Sequence, residues 1–339
     1  MYTNKEIWNV SYPIFLGLLA QNIINVTDTA FLGRVGEVEL GASAMGGLFY
    51  ICVFTIAFGF SIGSQILIAR RNGEGRYKDV GPVMIQGGTF LLGLAVLMFG
   101  LTHLLAPSVV RLLISSDSIF DATMEFLNWR IFGFFFAFIN VMFRALYIGI
   151  TRTKVLTMNA VVMALVNVLL DYILIFGKFG MPEMGIKGAA IASVMAEAAS
   201  LAFFLIYTYA KVDFKKFGLN HWQKIDFSLL GRILSISCFT MVQYFLAMAT
   251  WFVFFIAIER LGQRELAIAN IVRSIYIVML IPVQALSTTT NSLVSNLCGR
   301  DSPCHALDLA YRTDVVLHHD SLCGHSGTFP SCYAFGLYQ

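Results

Sequence analysis

The chain has 339 residues, of which 58% are hydrophobic and 13% charged, about half the charged share of a typical soluble domain. With a mean hydropathy of +0.74, so little charge cannot coat a water-soluble globule, which excludes that class and makes lipid the solvent. The net charge of +3 carries no basic stripe and gives no footing for nucleic-acid binding.

Crossing the hydrocarbon takes about 20 mostly apolar residues, and eight such runs are predicted, at 7–32, 42–69, 81–105, 124–150, 155–177, 187–210, 228–257 and 266–297. The first carries Pro13, Gln21, Asn22, Asn25 and Asp28 and lacks a small-residue cleavage site, so it is a retained helix and not a signal peptide. The spacing of four and then three puts Gln21, Asn25 and Asp28 on one helix face. After the third run, LAPSVVRLLISSDSIFDA is either a short amphipathic piece at the outer surface or an ordinary loop. The fourth run holds Arg130 and Arg144, the latter expected to snorkel to the cytoplasmic surface. In the fifth, Asn167 and Asp171 stand four apart and share a face. Glu197 lies in the sixth, and Arg273 and the polar run STTTNS (287–292) in the eighth. That run, with Gln243, Asn270 and Arg273, is expected to face helices beyond the eighth. Cys52 and Cys238, inside apolar runs, are expected to be small core residues.

A charge at mid-membrane costs about 2.5–3.5 kcal/mol on insertion scales. For Glu197, Arg130, Arg144 and Arg273 salt-bridged packing is the expectation. Asp28 and Asp171 are candidates to hold a proton or, with amide and hydroxyl oxygens, a sodium ion. The alternatives are a helix-packing hydrogen bond or a place near a helix end. With the N-terminus cytoplasmic, eleven Lys and Arg fall on the inside and six on the outside, which favours that orientation. P-loop, G-x-S-x-G, H-E-x-x-H and dinucleotide motifs are absent, so a transporter is expected and not an enzyme.

Sliding the chain by 226 residues lays RVGEVELGASAMGGLFYI, from Arg34, over RLGQRELAIANIVRSIYI, from Arg260, and keeps register from Arg34/Arg260 to Gly73/Gly299. Duplication with a site between the halves is a transporter signature. The expected organisation is a six-helix lobe (1–210), a cytoplasmic linker (211–227), the first two helices of a second lobe (228–297) and a Cys/His-rich tail (298–339). Two copies of 226 make 452, so the second lobe is expected to be incomplete, 113 residues short. The tail is attributed to a coding-frame change near Leu297, a product of this length being expected to insert without transporting. A genuine divergent tail is the alternative, and zinc ligation by its cysteines and histidines a lesser one.

NVTDTAFLGRVGEVELGA (25–42), RALYIGITRTK (144–154), NVLLDYILIFG (167–177) and GIKGAAIASV (185–194) resemble, in order and spacing, the multidrug and toxic compound extrusion (MATE) family of prokaryotic type. The resemblance covers about residues 7–297. It implies an all-α integral membrane protein with a MATE-like six-helix N-terminal lobe and about eight transmembrane helices in this chain. The implied activity is efflux of small amphiphilic or cationic drugs in exchange for Na+ or H+, the coupling ion being the only inorganic partner. The implied protein is a lipid-embedded monomer in the cytoplasmic (inner) membrane. Carried over from the family, the cation site is Asp28, Asn167 and Asp171, with Ser193 where many members have Thr. Gln243 or Ala247 stands where one branch has a second-lobe carboxylate. The competing readings are a lipid-linked oligosaccharide flippase of the wider superfamily, a non-transporting remnant, or a membrane metalloprotein through the tail.

Overall fold

A computed structural model describes residues 2–114, 116–219, 226–259 and 263–300. Within them the regular elements are helical: α1 (Asn4–Val35), α2 (Glu37–Gly73), a 3-10 turn (Tyr77–Asp79), α3 (Val80–Leu113), α4 (Asp117–Arg130), α5 (Gly133–Gly149), α6 (Lys154–Ile175), α7 (Gly185–Lys211), α8 (Phe227–Glu259) and α9 (Gln263–Gly299). Seven helices are long and apolar enough to cross a membrane, and α4 with α5, bent by 54°, makes an eighth span. Lipid offers the backbone no hydrogen bonds, so a chain of this composition satisfies its N–H and C=O groups within helices.

Local signals set the helix ends. Thr3 and Glu6 form a reciprocal capping box at the start of α1, the Thr3 N–H reaching the Glu6 carboxylate at 2.7 Å and so satisfying donors the first turn leaves open. Gly36 alone joins α1 to α2. The expected amphipathic piece after the third run does not exist as a separate element. Its first half continues α3 through Pro107 to Leu113, and its second half opens α4 at Asp117. Pro107 lies inside α3 and leaves the carbonyl four residues earlier without its usual helical donor.

Aromatic and backbone contacts sort the loops to two ends. The Gly81 N–H donates to the Phe217 carbonyl at 2.8 Å, Tyr77 meets Phe217 edge-on at 5.9 Å, and Arg152 donates to the Lys211 carbonyl at 3.4 Å. These contacts gather the α2–α3, α5–α6 and α7–α8 connections at one end. At the other, Phe31 meets Phe176 edge-on at 5.5 Å and the Lys187 ammonium sits 4.9 Å from the centre of the Trp129 ring.

The core lies where α2, α5 and α7 meet, filled by Phe60, Phe134, Phe138, Tyr147 and Phe204, all buried. Around it α1 leans on α6, where Thr157 Oγ1 donates to the Pro13 carbonyl at 2.8 Å. On the next seam α6 meets α7 through Asn159 and Ser200, at 2.8 Å.

Both α8 and α9 pack on this bundle. Ser237 donates to the Phe60 carbonyl (3.1 Å), Gln65 to the Thr288 carbonyl (3.4 Å), Ser292 to the Ile148 carbonyl (2.7 Å), and Asn296 to the Gly149 carbonyl (3.1 Å). The STTTNS run therefore faces α2 and α5, not helices beyond the eighth as the sequence led us to expect. The reason is that Thr289 and Thr290 return their hydroxyls to their own helix, at 2.8 and 2.9 Å. Small, self-satisfied side chains let α9 approach closely. Gln243 is exposed on α8, and the side chains of Asn270 and Arg273 lie outside the described residues.

The offset of 226 recurs in the structure. α2 and α9 are each 37 residues long, and 37 plus 226 is 263, the first residue of α9. Their last turns meet reciprocally: a methyl on Gly73 would collide with the Asn296 carbonyl, and one on Gly299 with the Arg70 carbonyl. Since 70 plus 226 is 296, each helix touches in the other the counterpart of the residue it offers.

Cys52 and Cys238 are exposed, contrary to the expectation of core positions. In a chain whose helices are apolar all round, membership of an apolar run does not tell core from lipid face. Beyond Arg300 the tail, and with it the proposed zinc ligands from Cys304 onward, lies outside the described residues.

Candidate cation site between α1 and α6

Spacing placed Asn167 and Asp171 on one face of α6, and the structure turns that face inward: Asn167 is 1% exposed and Asp171 0%. Asp28 comes to them from α1, close enough for the two carboxyls to be each other's interacting neighbours. Among the described residues six buried side-chain polar atoms lack a hydrogen-bond partner. Five of them are Asp28 Oδ1, both amide atoms of Asn167 and both carboxylate oxygens of Asp171. An unpartnered buried polar group costs about 1–3 kcal/mol, and a like-charged carboxylate pair costs more unless a cation joins it. The oxygens of Asp28, Asn167 and Asp171 are the hard donors that a small cation takes, and either carboxyl can hold a proton instead.

Three residues singled out in the sequence behave differently. Gln21 and Asn25, the rest of the stripe on α1, are exposed, so only Asp28 turns into the site. Ser193 is half-buried on α7, and no side-chain hydrogen bond joins it to the other three. Among the described residues no group of three His, Cys, Asp or Glu is placed to hold a metal ion, so a bound cation would rely on the Asn167 amide.

Next to this cluster stands a paired one. Arg130, at the end of α4, grips Glu197 of α7 with both terminal nitrogens, at 3.0 and 2.6 Å, and Tyr50 of α2 donates to the same carboxylate at 3.1 Å. The guanidinium lies 3.6 Å from the centre of the Tyr50 ring, whose far face stacks on Phe134 at 4.8 Å. Gly133 makes room: a methyl there would collide with Arg130 and Glu197. Asn140 donates to the Glu197 carbonyl at 2.9 Å, leaving its own Oδ1 as the sixth unpartnered atom. Arg130 also acts electrostatically on Asp28. The Arg130–Glu197 pair was expected as salt-bridged packing. Tyr50, Gly133 and Asn140 were not foreseen, and only the spacing of Gly133 just after Arg130 hinted at a close approach.

Arg144 departs from expectation. It does not snorkel to a helix end, because the guanidinium lies 5.2 Å from the centre of the Phe58 ring and beside Tyr244. Phe58 and Tyr244 stand near the middles of α2 and α8. Helical side chains lean toward their helix's N-terminus, which in α5 is away from the nearer end at Gly149.

Residues 13–173 match the family described as MatE, and that stretch contains Asp28, Asn167 and Asp171. Over that stretch the chain is similar to the MatE family. It is similar to a probable multidrug resistance protein NorM of Idiomarina loihiensis, 25% identical over 70% of this chain and 53% of the relative. To the NorM of Mannheimia succiniciproducens it is 22% identical over 91% of this chain and 66% of that protein. It thus spans about half to two thirds of the length of these curated relatives. Its fold is that of an outward-facing multidrug resistance MATE family transporter (TM-score 0.81, 18% identity, 98% of this chain and 74% of that one). It is equally that of a MATE described as in the straight conformation (TM-score 0.84, 18% identity, 94% and 70%).

Proposed function

We propose that this chain belongs to a MatE-type multidrug efflux transporter in which Asp28, Asn167 and Asp171 bind the coupling cation, Na+ or a proton. The observation that carries the reading is the concentration of unpartnered buried atoms on those three residues. Ser193 stands as a neutral oxygen at the edge of the same site. The names of the NorM relatives support drugs as the cargo. The protein works as a monomer in the cytoplasmic membrane, with its N-terminus and the Lys/Arg-rich end inside. Residues 1–210 form one lobe, 211–227 the linker, and the helices from 228 belong to the second lobe.

In mechanism, a monovalent cation entering between α1 and α6 offsets one of the two carboxylate charges, bridges the pair and draws the helices together. Its loss leaves two like charges facing each other and drives them apart. Because cation and drug bind different arrangements of the same helices, each changes the affinity for the other by the same factor. Asp28→Asn removes one titratable oxygen and keeps the size. In an efflux-deficient host it is expected to abolish gradient-driven ethidium efflux at unchanged protein level, and in the purified chain to abolish stabilisation by Na+ or by acid. Cation stabilisation that survives both Asp28→Asn and Asp171→Asn would sink the reading.

A further inference from the structure

A groove of about 320 Å³ opens between α3 and the first turn of α8, lined by Phe90, Gly93, Leu94 and Leu97 on one side and by Phe227 and Leu230 on the other. The efflux reading makes no use of it, since Asp28, Asn167 and Asp171 do not line it. Its wall is apolar. Thr89 returns its hydroxyl to the Ile85 carbonyl at 2.9 Å, and Phe90 is braced by Phe60, with ring centres 4.6 Å apart. Gly93 makes the recess: a methyl there would meet nothing within 4 Å. Gln86 closes the end nearest the loops. It is 4% exposed, and its amide, oriented to satisfy both of its ends, donates to the Asp226 carbonyl at 3.1 Å and accepts the Asp226 N–H at 3.3 Å. From Gln86 to Leu97 the lining follows α3 for about 16 Å at the helical rise. That is the depth of one leaflet in a hydrocarbon core about 30 Å thick.

Beyond Gln86 stands a fixed positive charge. The Lys216 ammonium lies 4.5 Å from the centre of the Tyr77 ring and 5.7 Å from that of Phe217. Tyr77 stands just before α3, which puts the ammonium about 10 Å beyond Gln86, at the level of the headgroups that flank the core. The carboxylate nearest in sequence, Asp213, accepts the Lys215 and Lys216 amides at 2.9 and 3.0 Å and so fixes the turn. Among the described residues Lys216 enters no ion pair. We propose that the groove and Lys216 form a binding site for an anionic phospholipid of the leaflet on the Lys/Arg-rich side. One acyl chain lies between α3 and α8, and the phosphate of the head meets the Lys216 ammonium. A groove sunk in hydrocarbon is beyond the reach of a water-soluble partner, and the lysine selects the charge of the lipid. Lys78 and Lys215, exposed in the same connections, add to the positive field that holds such a head. A lipid so placed braces α8 against the bundle that carries the cation site.

The test uses the full chain in phosphatidylcholine nanodiscs, with its four tryptophans replaced by phenylalanine and Leu97→Trp as the reporter in the groove. Phe227→Trp is the second reporter, on the opposite wall. Chain-brominated phosphatidylglycerol, or phosphatidylcholine with the same chains, replaces a rising fraction of the lipid, and quenching reads occupancy of the groove. The glycerol lipid is expected to bind about fivefold more tightly than the choline lipid, the factor that about 1 kcal/mol per basic residue at a membrane surface gives. Lys216→Gln is expected to remove most of that preference and Lys216→Arg to keep it. Gly93→Leu fills the recess and is expected to cut quenching by both lipids without lowering the unfolding temperature, because the new side chain enters open space. Glycerol 1-phosphate, a head without chains, is expected to leave the quenching unchanged. Equal quenching by the two lipids, a preference untouched by Lys216→Gln, or quenching untouched by Gly93→Leu would each overturn the proposal. Loss of the preference in millimolar glycerol 1-phosphate would overturn it too, by assigning the lysine to a free phosphate. The comparison of the two lipids decides even if a variant at 93 or 216 fails to fold.

Discussion

A side chain at position 133 would occupy the space in which Arg130, Glu197 and Tyr50 meet, so the buried ion pair depends on one missing methyl. Gly133→Ala is expected to push the guanidinium off Glu197. Glu197→Ala leaves Arg130 buried and unpaired and is expected to cost about 3–5 kcal/mol, whereas Arg130→Met with Glu197→Leu should recover most of that. Unfolding titrations of the three variants in detergent check both statements, and a double variant no more stable than Glu197→Ala would contradict them. Asn167 and Asp171 were legible in the sequence because a spacing of four fixes a helix face whatever surrounds it. Tyr50 and Asn140 were not, since an isolated tyrosine or asparagine in an apolar run carries no mark of the helix it will meet. Arg144 misled for a related reason: its distance from a helix end was readable, its direction along the helix was discounted.

Elements that recur by period were easier to foresee than the faces they present. All eight runs correspond to helices, or in one case a bent pair, because the length of an apolar segment is set by the bilayer. Which side of α8 and α9 meets α2 was not legible. Lipid tails are as apolar as leucine, so the contrast that marks a buried face in water is lost, and small residues carry the packing instead. The seam they make can be tested directly. Asn72 Nδ2 donates to Asn296 Oδ1 at 2.7 Å, so cysteines at 72 and 296, in a background without other cysteines, are expected to form a disulfide under mild oxidation. If the helices must part for transport, the oxidised form is expected to lose efflux and regain it on reduction. Cross-linked protein with undiminished efflux would show that the seam stays shut throughout the cycle.

For the whole molecule, the contacts that sort the loops give a prediction that does not depend on mechanism. Lys215 and Gly180 are both exposed and lie at opposite ends. With the Lys/Arg-rich end inside, a membrane-impermeant thiol reagent added to intact cells is expected to label Gly180→Cys and spare Lys215→Cys, and the opposite pattern would invert the topology. The duplication was visible as matching letters, yet the sequence could not show that the copies touch. Gly73 against Asn296 and Gly299 against Arg70 make a contact in which each partner offers what it receives, the geometry of an isologous interface between two identical subunits. Here both subunits are one chain, so a half-length ancestor would have met its own copy at these two glycines. What was then a single mutation felt twice has become two separate positions. Gly73→Ala and Gly299→Ala should accordingly be non-additive, because the first to part the helices relieves the second.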